Sequence, residues 1–263
     1  MNDESQDTES PLYKPKPHLL AFIDALGFWE EVGKDSTESQ RVLEFFKVID
    51  EHLKGLCKLY KDLFKITTIG DSIVLAIEGD SITIRDKLTK LTEAVAEIQR
   101  DLAVKDIWIR GAITYEGLHF SKWQVIGHAF SEAHKLEKSV AKFPRVIVDG
   151  RVIAAAGADT PKELQCRNLY DFTMENRRTK VKLERDVPTF VDFARCSPEA
   201  KDDTSFLKAC AEHISRRCRE NVKHYAKYRW LADYMQQSLE QQVDLENIPG
   251  HPLEDSWRLL RDC

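Results

Sequence analysis

The stretch Phe64–Ile77 reads FKITTIGDSIVLAI, and its reading decides the fold. Two β-prone runs, Phe64–Ile69 and Ser72–Ile77, are separated only by Gly70-Asp71. Two residues with glycine between such runs predict a hairpin. Working outward, a helical pattern precedes the hairpin, with Val42, Phe45, Phe46, Ile49, Leu53, Leu56 and Leu63 recurring on one face. Asp35 with Glu38 resembles a capping box at its start. A second helical pattern follows, through Ile84, Leu88, Leu91, Val95, Ile98 and Leu102. Each helix is flanked by one more apolar run, His18–Asp24 (HLLAFID) before and Ile107–Thr114 (IWIRGAIT) after, both of strand length. The order is β-α-β-β-α-β, which predicts an α+β protein with a ferredoxin-like core. In that core the first strand lies beside the hairpin.

Beyond the core, Ala129–Ala141 reads as a helix and Arg145–Asp149 as a strand, an added αβ pair. Asn168–Thr173 and Pro188–Phe193 read as two further strands. From about Asp203 the chain turns helical. Leu207, Cys210, Ile214 and Val222 form one stripe, and Tyr225, Tyr228, Leu231, Tyr234 and Leu239 another. The expected organisation is a tail over 1–17, one domain over 18–200, a C-terminal helical extension over 201–245 packed on the core, and a tail over 246–263.

Composition narrows the function classes. The formal net charge is −5, which gives no footprint for gripping a nucleic-acid backbone. Six scattered cysteines form no CxxC pair, so they read as reduced thiols and not as a zinc or disulfide framework. His119, His128 and His134 lie close in sequence without a third partner that would make a metal site. The opening MNDESQDTES is acidic where a signal peptide would be basic and then apolar, and no apolar run approaches the ~20 residues of a membrane span. These features predict a cytoplasmic protein with neither nucleic acid nor membrane as partner.

Two carboxylates carry the chemistry. Asp24 ends the first strand, in FIDALGF, and Asp71 sits at the hairpin tip, in TIGDS. The predicted topology brings both to one end of the sheet. Hard divalent cations prefer oxygen ligands, and two carboxylates completed by polyphosphate oxygens suit magnesium or manganese. Gly27 lets the backbone after Asp24 approach a phosphate closely. Ordinary turn chemistry also places aspartate at such positions.

With these residues in place, the sequence resembles the class III nucleotidyl cyclase catalytic domain over roughly residues 18–150. Asp24, Gly27 and Phe28 match its D-x-x-G-F element, and Gly70-Asp71 its G-D element. Gly127–Glu137 (GHAFSEAHKLE) is similar to its G-x-x-V-N-x-A-x-R-L-E element. The strand around Arg110-Gly111-Ala112-Ile113 and the segment Pro144–Val148 fit as well. The resemblance implies that Asp24 and Asp71, with Ala25 beside them, hold two Mn2+ or Mg2+ ions, and that Ala25–Phe28 cradles the phosphates. It further implies a head-to-tail homodimer with shared active sites, the aspartates coming from one chain and the transition-state residues from the other.

The departures are specific. The family's transition-state asparagine falls on Ser131 and its arginine on Lys135. Lysine neutralises phosphate as a point charge without arginine's fork. Arg110 and Arg145 are therefore added candidates for developing negative charge. The base-reading positions fall on Thr67 and Gln124, which match neither the adenine nor the guanine pattern and favour a smaller base edge. Within the superfamily, the IRGAI strand, the Gly127–Glu137 helix, PRVIVD (Pro144–Asp149) and KYRWLADY (Lys227–Tyr234) resemble the pyrimidine cyclases of the bacterial Pycsar antiphage system. That resemblance implies UTP to cyclic UMP, or CTP to cyclic CMP, as an alarm read by a separate effector. A catalytically silent nucleotide-binding module is the competing expectation, and an interaction domain docking through its aromatic C-terminal stripe is a third.

Overall fold

The computed structural model describes residues 15–27, 36–60, 63–78, 82–121, 124–166, 168–170, 189–194, 204–242 and 250–263. The elements run β1 (Lys16–Ala25), α1 (Ser36–Tyr60), β2 (Phe64–Ile69), β3 (Ser72–Glu78), α2 (Ile84–Ala103), β4 (Ile109–Phe120), β5 (Val125–Gly127), α3 (His128–Ser139), β6 (Val146–Val148), α4 (Gly150–Ala155), α5 (Thr204–Glu220), α6 (Tyr225–Gln242) and α7 (Glu254–Arg261). The fold is mixed α/β, built on one mixed six-stranded sheet.

The strand order is β2-β3-β1-β4-β5, all neighbours antiparallel, and β6 adds in parallel to β4. β1 is central because it is apolar on both faces. His18 to Ile23 are buried without alternation, the mark of a strand covered on both sides. Helix α3 covers one face, where the Phe22 ring meets Phe130 and His134 edge-on at 5.6 and 5.4 Å. Helix α2 packs against β1 and β3, and α1 against α2 and β2. Thr83 caps α2, its hydroxyl accepting from the Asp86 amide at 3.1 Å. The β2–β3 turn holds two residues, with Gly70 at φ +64 in its first central position, a type II′ hairpin. β1 and β4 approach so closely at Gly111 that a Cβ there would lie 2.1 Å from the Phe22 carbonyl oxygen.

The described parts of the two later expected strands form only single bridges, Leu169 to Val191 and Ile147 to Phe190. The second bridge extends the sheet beyond β6. Asp35 and the side chain of Glu38, the expected capping box, lie outside the described residues, as do residues 1–14 of the expected tail; Lys16 and Pro17 belong to β1.

The C-terminal region differs from expectation in two places. Val222, assigned to a buried stripe, is 84% exposed, because α5 ends at Glu220 and a short 3-10 turn follows. Residues 254–261, expected as part of a tail, form α7 and pack on α5 and α6. Leu253 and Leu260 are buried, and Trp257 Nε1 donates to Glu240 Oε1 at 3.1 Å. Trp230 and Tyr234 of the aromatic stripe are core residues, packed with Phe143, Phe190 and Phe193. Among the described residues no helix is long and apolar enough to cross a membrane.

Candidate functional site

Register places the two aspartates. Asp24 pairs with Ser72 across β1–β3, and Asp71 is the turn residue next to Ser72. The Ser72 hydroxyl donates to Asp24 Oδ1 at 2.9 Å, which fixes the carboxylate at the sheet end. Asp71 is 8% exposed, shielded more than a hairpin tip ordinarily is. On the other side of β1, Asp24 pairs with Arg110 of β4. The Arg110 guanidinium lies 3.7 Å from Asp24 Oδ2 and 2.5 Å from Glu137 Oε1.

Glu137 was not singled out by the sequence reading, although it closes the quoted Gly127–Glu137 motif. The signal was present. Ala129, Ala133 and Glu137 recur every four residues and form the buried stripe of α3. A glutamate on the same stripe as two alanines is aimed at the sheet. It is 2% exposed, and burial pushes its carboxyl above the usual range. Arg110 opposes that rise, whereas the fields of Asp24 and Asp71 add to it. The contact with Arg110 is an ion pair without aligned hydrogen-bond geometry. Among the described residues Glu137 Oε1 has no hydrogen-bond donor and Arg110 Nε no acceptor. Three carboxylates and one guanidinium therefore converge on one sheet end, a net negative, partly buried cluster.

The turn after Asp24 is held from behind. The Leu26 amide donates to the Trp108 carbonyl at 2.8 Å, and Trp108 Nε1 donates to Asp106 Oδ1 at 3.0 Å. Asp106 Oδ2 accepts from Arg41 at 2.6 Å, Arg216 at 2.8 Å and Arg217 at 3.0 Å. The site turn is thereby tied to α1 and to the end of α5. Gly27 adopts φ +74 with open space beside it, so the conformation, not crowding, calls for glycine. Ala25 is buried and pairs with Ile109. Phe28 lies outside the described residues.

The remaining candidates separate. Ser131 and Lys135 sit one turn apart on the exposed side of α3, away from the stripe that carries Glu137. Lys135 is 73% exposed and lies 3.5 Å from Glu132. Arg145 is not at the cluster surface. It is fully buried, its guanidinium 5.3, 5.6 and 5.0 Å from the rings of Phe143, Phe190 and Trp230. Thr67 and Gln124 are not brought together within one chain. Thr67 lies on β2, level through the ladder with Ala112. Gln124 faces Ser121, nine residues further along β4, roughly 30 Å away by strand rise. His134 stacks on Phe130 and packs against Phe22, an aromatic packing role.

Among the described residues no group of three His, Cys, Asp or Glu side chains is placed to hold a metal by itself. Register makes Asp24 and Asp71 neighbours, so two carboxylates lie at this end of the sheet. Magnesium is commonly held by one or two carboxylates, with substrate phosphates and water completing its shell. Two carboxylates are the donor type that a divalent ion accompanying a polyphosphate would use.

No protein-family model and no curated protein matches the chain. Among solved structures it is similar to a class III adenylyl cyclase-like ATP-binding protein from Pseudomonas aeruginosa. The identity is 15% and the TM-score 0.40, over 53% of this chain and 34% of the other. The chain thus spans about a third of that protein's length.

Proposed function

We propose that this protein is a nucleotidyl cyclase of class III type, converting UTP to 3′,5′-cyclic UMP and pyrophosphate, with CTP to cyclic CMP as the alternative. The observation that carries the reading is the register of β1. It sets Asp24 beside Ser72 and the turn residue Asp71, with Arg110 on the neighbouring strand. The strand order β2-β3-β1-β4, with helices after β1 and β3, supports a ferredoxin-like core of class III type.

In this reading two magnesium or manganese ions, bound with the nucleotide, supply activation of the ribose 3′-hydroxyl and neutralisation of the polyphosphate. Asp24, Asp71 and the Ala25 carbonyl hold them. The backbone after Asp24 binds phosphate oxygens, with Gly27 allowing close approach. Arg110, already oriented by Asp24 and Glu137, faces the charge that grows on the α-phosphoryl group and the leaving pyrophosphate. Ser131 and Lys135, exposed on the outer side of α3, act on the site of a second copy in a head-to-tail homodimer. Thr67 and Gln124 read one base only if two chains contribute. Cyclic pyrimidine nucleotide made this way suits an antiphage alarm sensed by a separate effector, the role implied by the Pycsar resemblance.

The exposure of Ser131 and Lys135, together with their departure from the family's asparagine and arginine, favours a second reading, a module that binds nucleotide without turning it over. One experiment separates the two. The protein is incubated with manganese and each of the four ribonucleoside triphosphates, and products are identified by mass. Cyclic UMP or cyclic CMP supports the first reading, and intact nucleotide retained on the protein supports the second. In the active case Asp24→Ala is expected to lower turnover at least ~100-fold, a loss of ~3 kcal/mol of transition-state stabilisation, with the thermal midpoint little changed. Turnover at the wild-type rate in that variant sinks the assignment.

A further inference from the structure

One carboxylate at the sheet end has no place among the ion ligands. The Glu137 side chain is 2% exposed, against 21% for Asp24 and 24% for Arg110. Arg110 Nη2 stands between the two carboxylates, 2.5 Å from Glu137 Oε1 and 3.7 Å from Asp24 Oδ2. The first distance is close ionic contact, and the second is longer than a hydrogen bond. Asp24 Oδ1 accepts from the Ser72 hydroxyl at 2.9 Å, so Oδ2 is the oxygen turned towards the guanidinium. Arg110 is thus committed to Glu137 and held off Asp24.

We propose that Glu137 is a positioning residue, which keeps Asp24 open to a divalent cation by drawing the Arg110 guanidinium away from it. The inference rests on the metal-dependent reading above and adds to it a residue that touches neither ion nor nucleotide.

The argument is one of competition. A guanidinium bonded to Asp24 Oδ2 would neutralise the oxygen that an incoming ion needs, and two cations on one oxygen repel. Arg110 has donor capacity to spare, because among the described residues its Nε has no acceptor. Without the charge of Glu137, the carboxylate within ion-pair reach of Arg110 is Asp24. The guanidinium would then move onto it. The fields of Asp24, Asp71 and Lys138 also reach Glu137, but Lys138 is exposed and screened by solvent. Stability alone does not call for a charged pair here, since burying it costs desolvation that an apolar side chain on α3 would avoid. Glu137 is too buried to meet an ion from solvent, so it acts through Arg110.

The test measures binding of Mn2+ alone to the full chain, by loss of the free-ion EPR signal. Asp24→Ala marks the share of binding that belongs to the site. Glu137→Gln keeps the shape and removes the charge, and it is expected to weaken Asp24-dependent binding at least ~10-fold, the usual effect of losing a group that orients a metal ligand. Arg110→Met should bind at least as tightly as wild type. The double variant Glu137→Gln/Arg110→Met should return to the Arg110→Met level, because no guanidinium is left to fall onto Asp24. A merely structural role for Glu137 would give no such recovery.

Asp24-dependent binding that is equal in Glu137→Gln and wild type overturns the role of Glu137 and leaves the metal reading standing. A double variant as weak as Glu137→Gln overturns it as well, since the carboxylate's own charge then accounts for the loss. Weaker binding in Arg110→Met than in wild type does the same, whether or not Glu137→Gln folds. Equal binding in wild type and Asp24→Ala instead overturns the metal reading, and this inference with it.

Discussion

Arg110 and Glu137 approach to 2.5 Å at the sheet end that carries Asp24 and Asp71. Glu137 comes from the buried stripe of α3 and Arg110 from β4, so the pair ties a helix to the sheet where the carboxylates converge. Its charge is costly to bury, which is why the Glu137 carboxyl sits above its usual range. The direction sets a pH dependence. A carboxyl raised in the folded state binds more protons there than in the unfolded chain, so its contribution is most favourable below the unfolded value of 4.5 and declines as pH rises towards the folded value. Glu137→Gln, permanently uncharged, lacks that decline. Chemical denaturation of variant and wild type across this range is therefore expected to show the variant gaining in relative stability as pH rises. Parallel pH profiles would contradict the burial argument. Under the proposed activity the same variant should lower turnover about 10-fold by loosening Arg110, and raise KM for the nucleotide little.

Asp106 accepts from three arginines and from Trp108, and it does so at φ +58, a backbone region few side chains other than Asn and Asp tolerate. Removing the carboxylate leaves the guanidinium groups of Arg41, Arg216 and Arg217 facing one another. Asp106→Ala is expected to lower the unfolding free energy by about 3 kcal/mol, and Asp106→Asn, which keeps the backbone preference, by less. Denaturant titration measures the loss. Hydrogen exchange should also quicken at the Leu26 amide, which is bound to the Trp108 carbonyl, and in the last turns of α5. A global loss with unchanged exchange at Leu26 would detach this clamp from the site turn.

Much of this arrangement was written in short-range pattern. The hairpin followed from Gly70-Asp71 between two β-prone runs, and the central place of β1 from an apolar run with no polar alternation. Asp24 and Asp71 could be brought to one sheet end because the β-α-β-β-α-β order, read as a ferredoxin-like core, sets the first strand beside the hairpin. Glu137 and Asp106 were legible only in part. Each is a charged residue amid polar-looking sequence, and its burial is decided by what folds over it, Arg110 from a different strand and arginines from α1 and α5. The burial of Arg145 was hidden for the same reason. A cation at a strand end looks like a site residue until Phe190 and Trp230, distant in sequence, close around it. Helix α7 escaped because eight residues carry too few apolar positions to establish a period.

Glu78 joins three strands' worth of register at the opposite end of β3. It pairs with Lys16 of β1 at 2.5 Å and with Lys65 of β2. The hydrogen bonds from Lys16 and then Lys65 lower its carboxyl to about 2. A depressed carboxylate contributes stability that is fully present above the unfolded value of 4.5 and is lost as pH falls towards 2. Lys16 is 70% exposed, so solvent screening holds the expected contribution to about 1 kcal/mol. Glu78→Gln should remove this part of the acid-induced loss and leave stability at lower pH near that of wild type. An unaltered acid limb in the variant would show that the lysines contribute nothing there.

Arg145 provides the sharpest separation between packing and chemistry. It is the largest fully buried side chain among the described residues, and its guanidinium is surrounded by Phe143, Phe190 and Trp230. Truncation to alanine empties a volume that aromatic rings cannot easily refill, so Arg145→Ala is expected to cost at least ~3 kcal/mol in denaturant titration. Arg145→Met keeps much of the length and apolar stem and removes a buried charge, a change that cores often tolerate. It should therefore cost clearly less than alanine. The corresponding change at Arg110, beside Asp24, touches the carboxylate cluster instead. Under the proposed activity, folded Arg145→Met should keep turnover within a few-fold of wild type, whereas Arg110→Met should lose ~100-fold, about 3 kcal/mol of transition-state stabilisation. Reversal of that order, with Arg145→Met folded but inactive and Arg110→Met active, would move the phosphate-facing cation from β4 into the aromatic cluster.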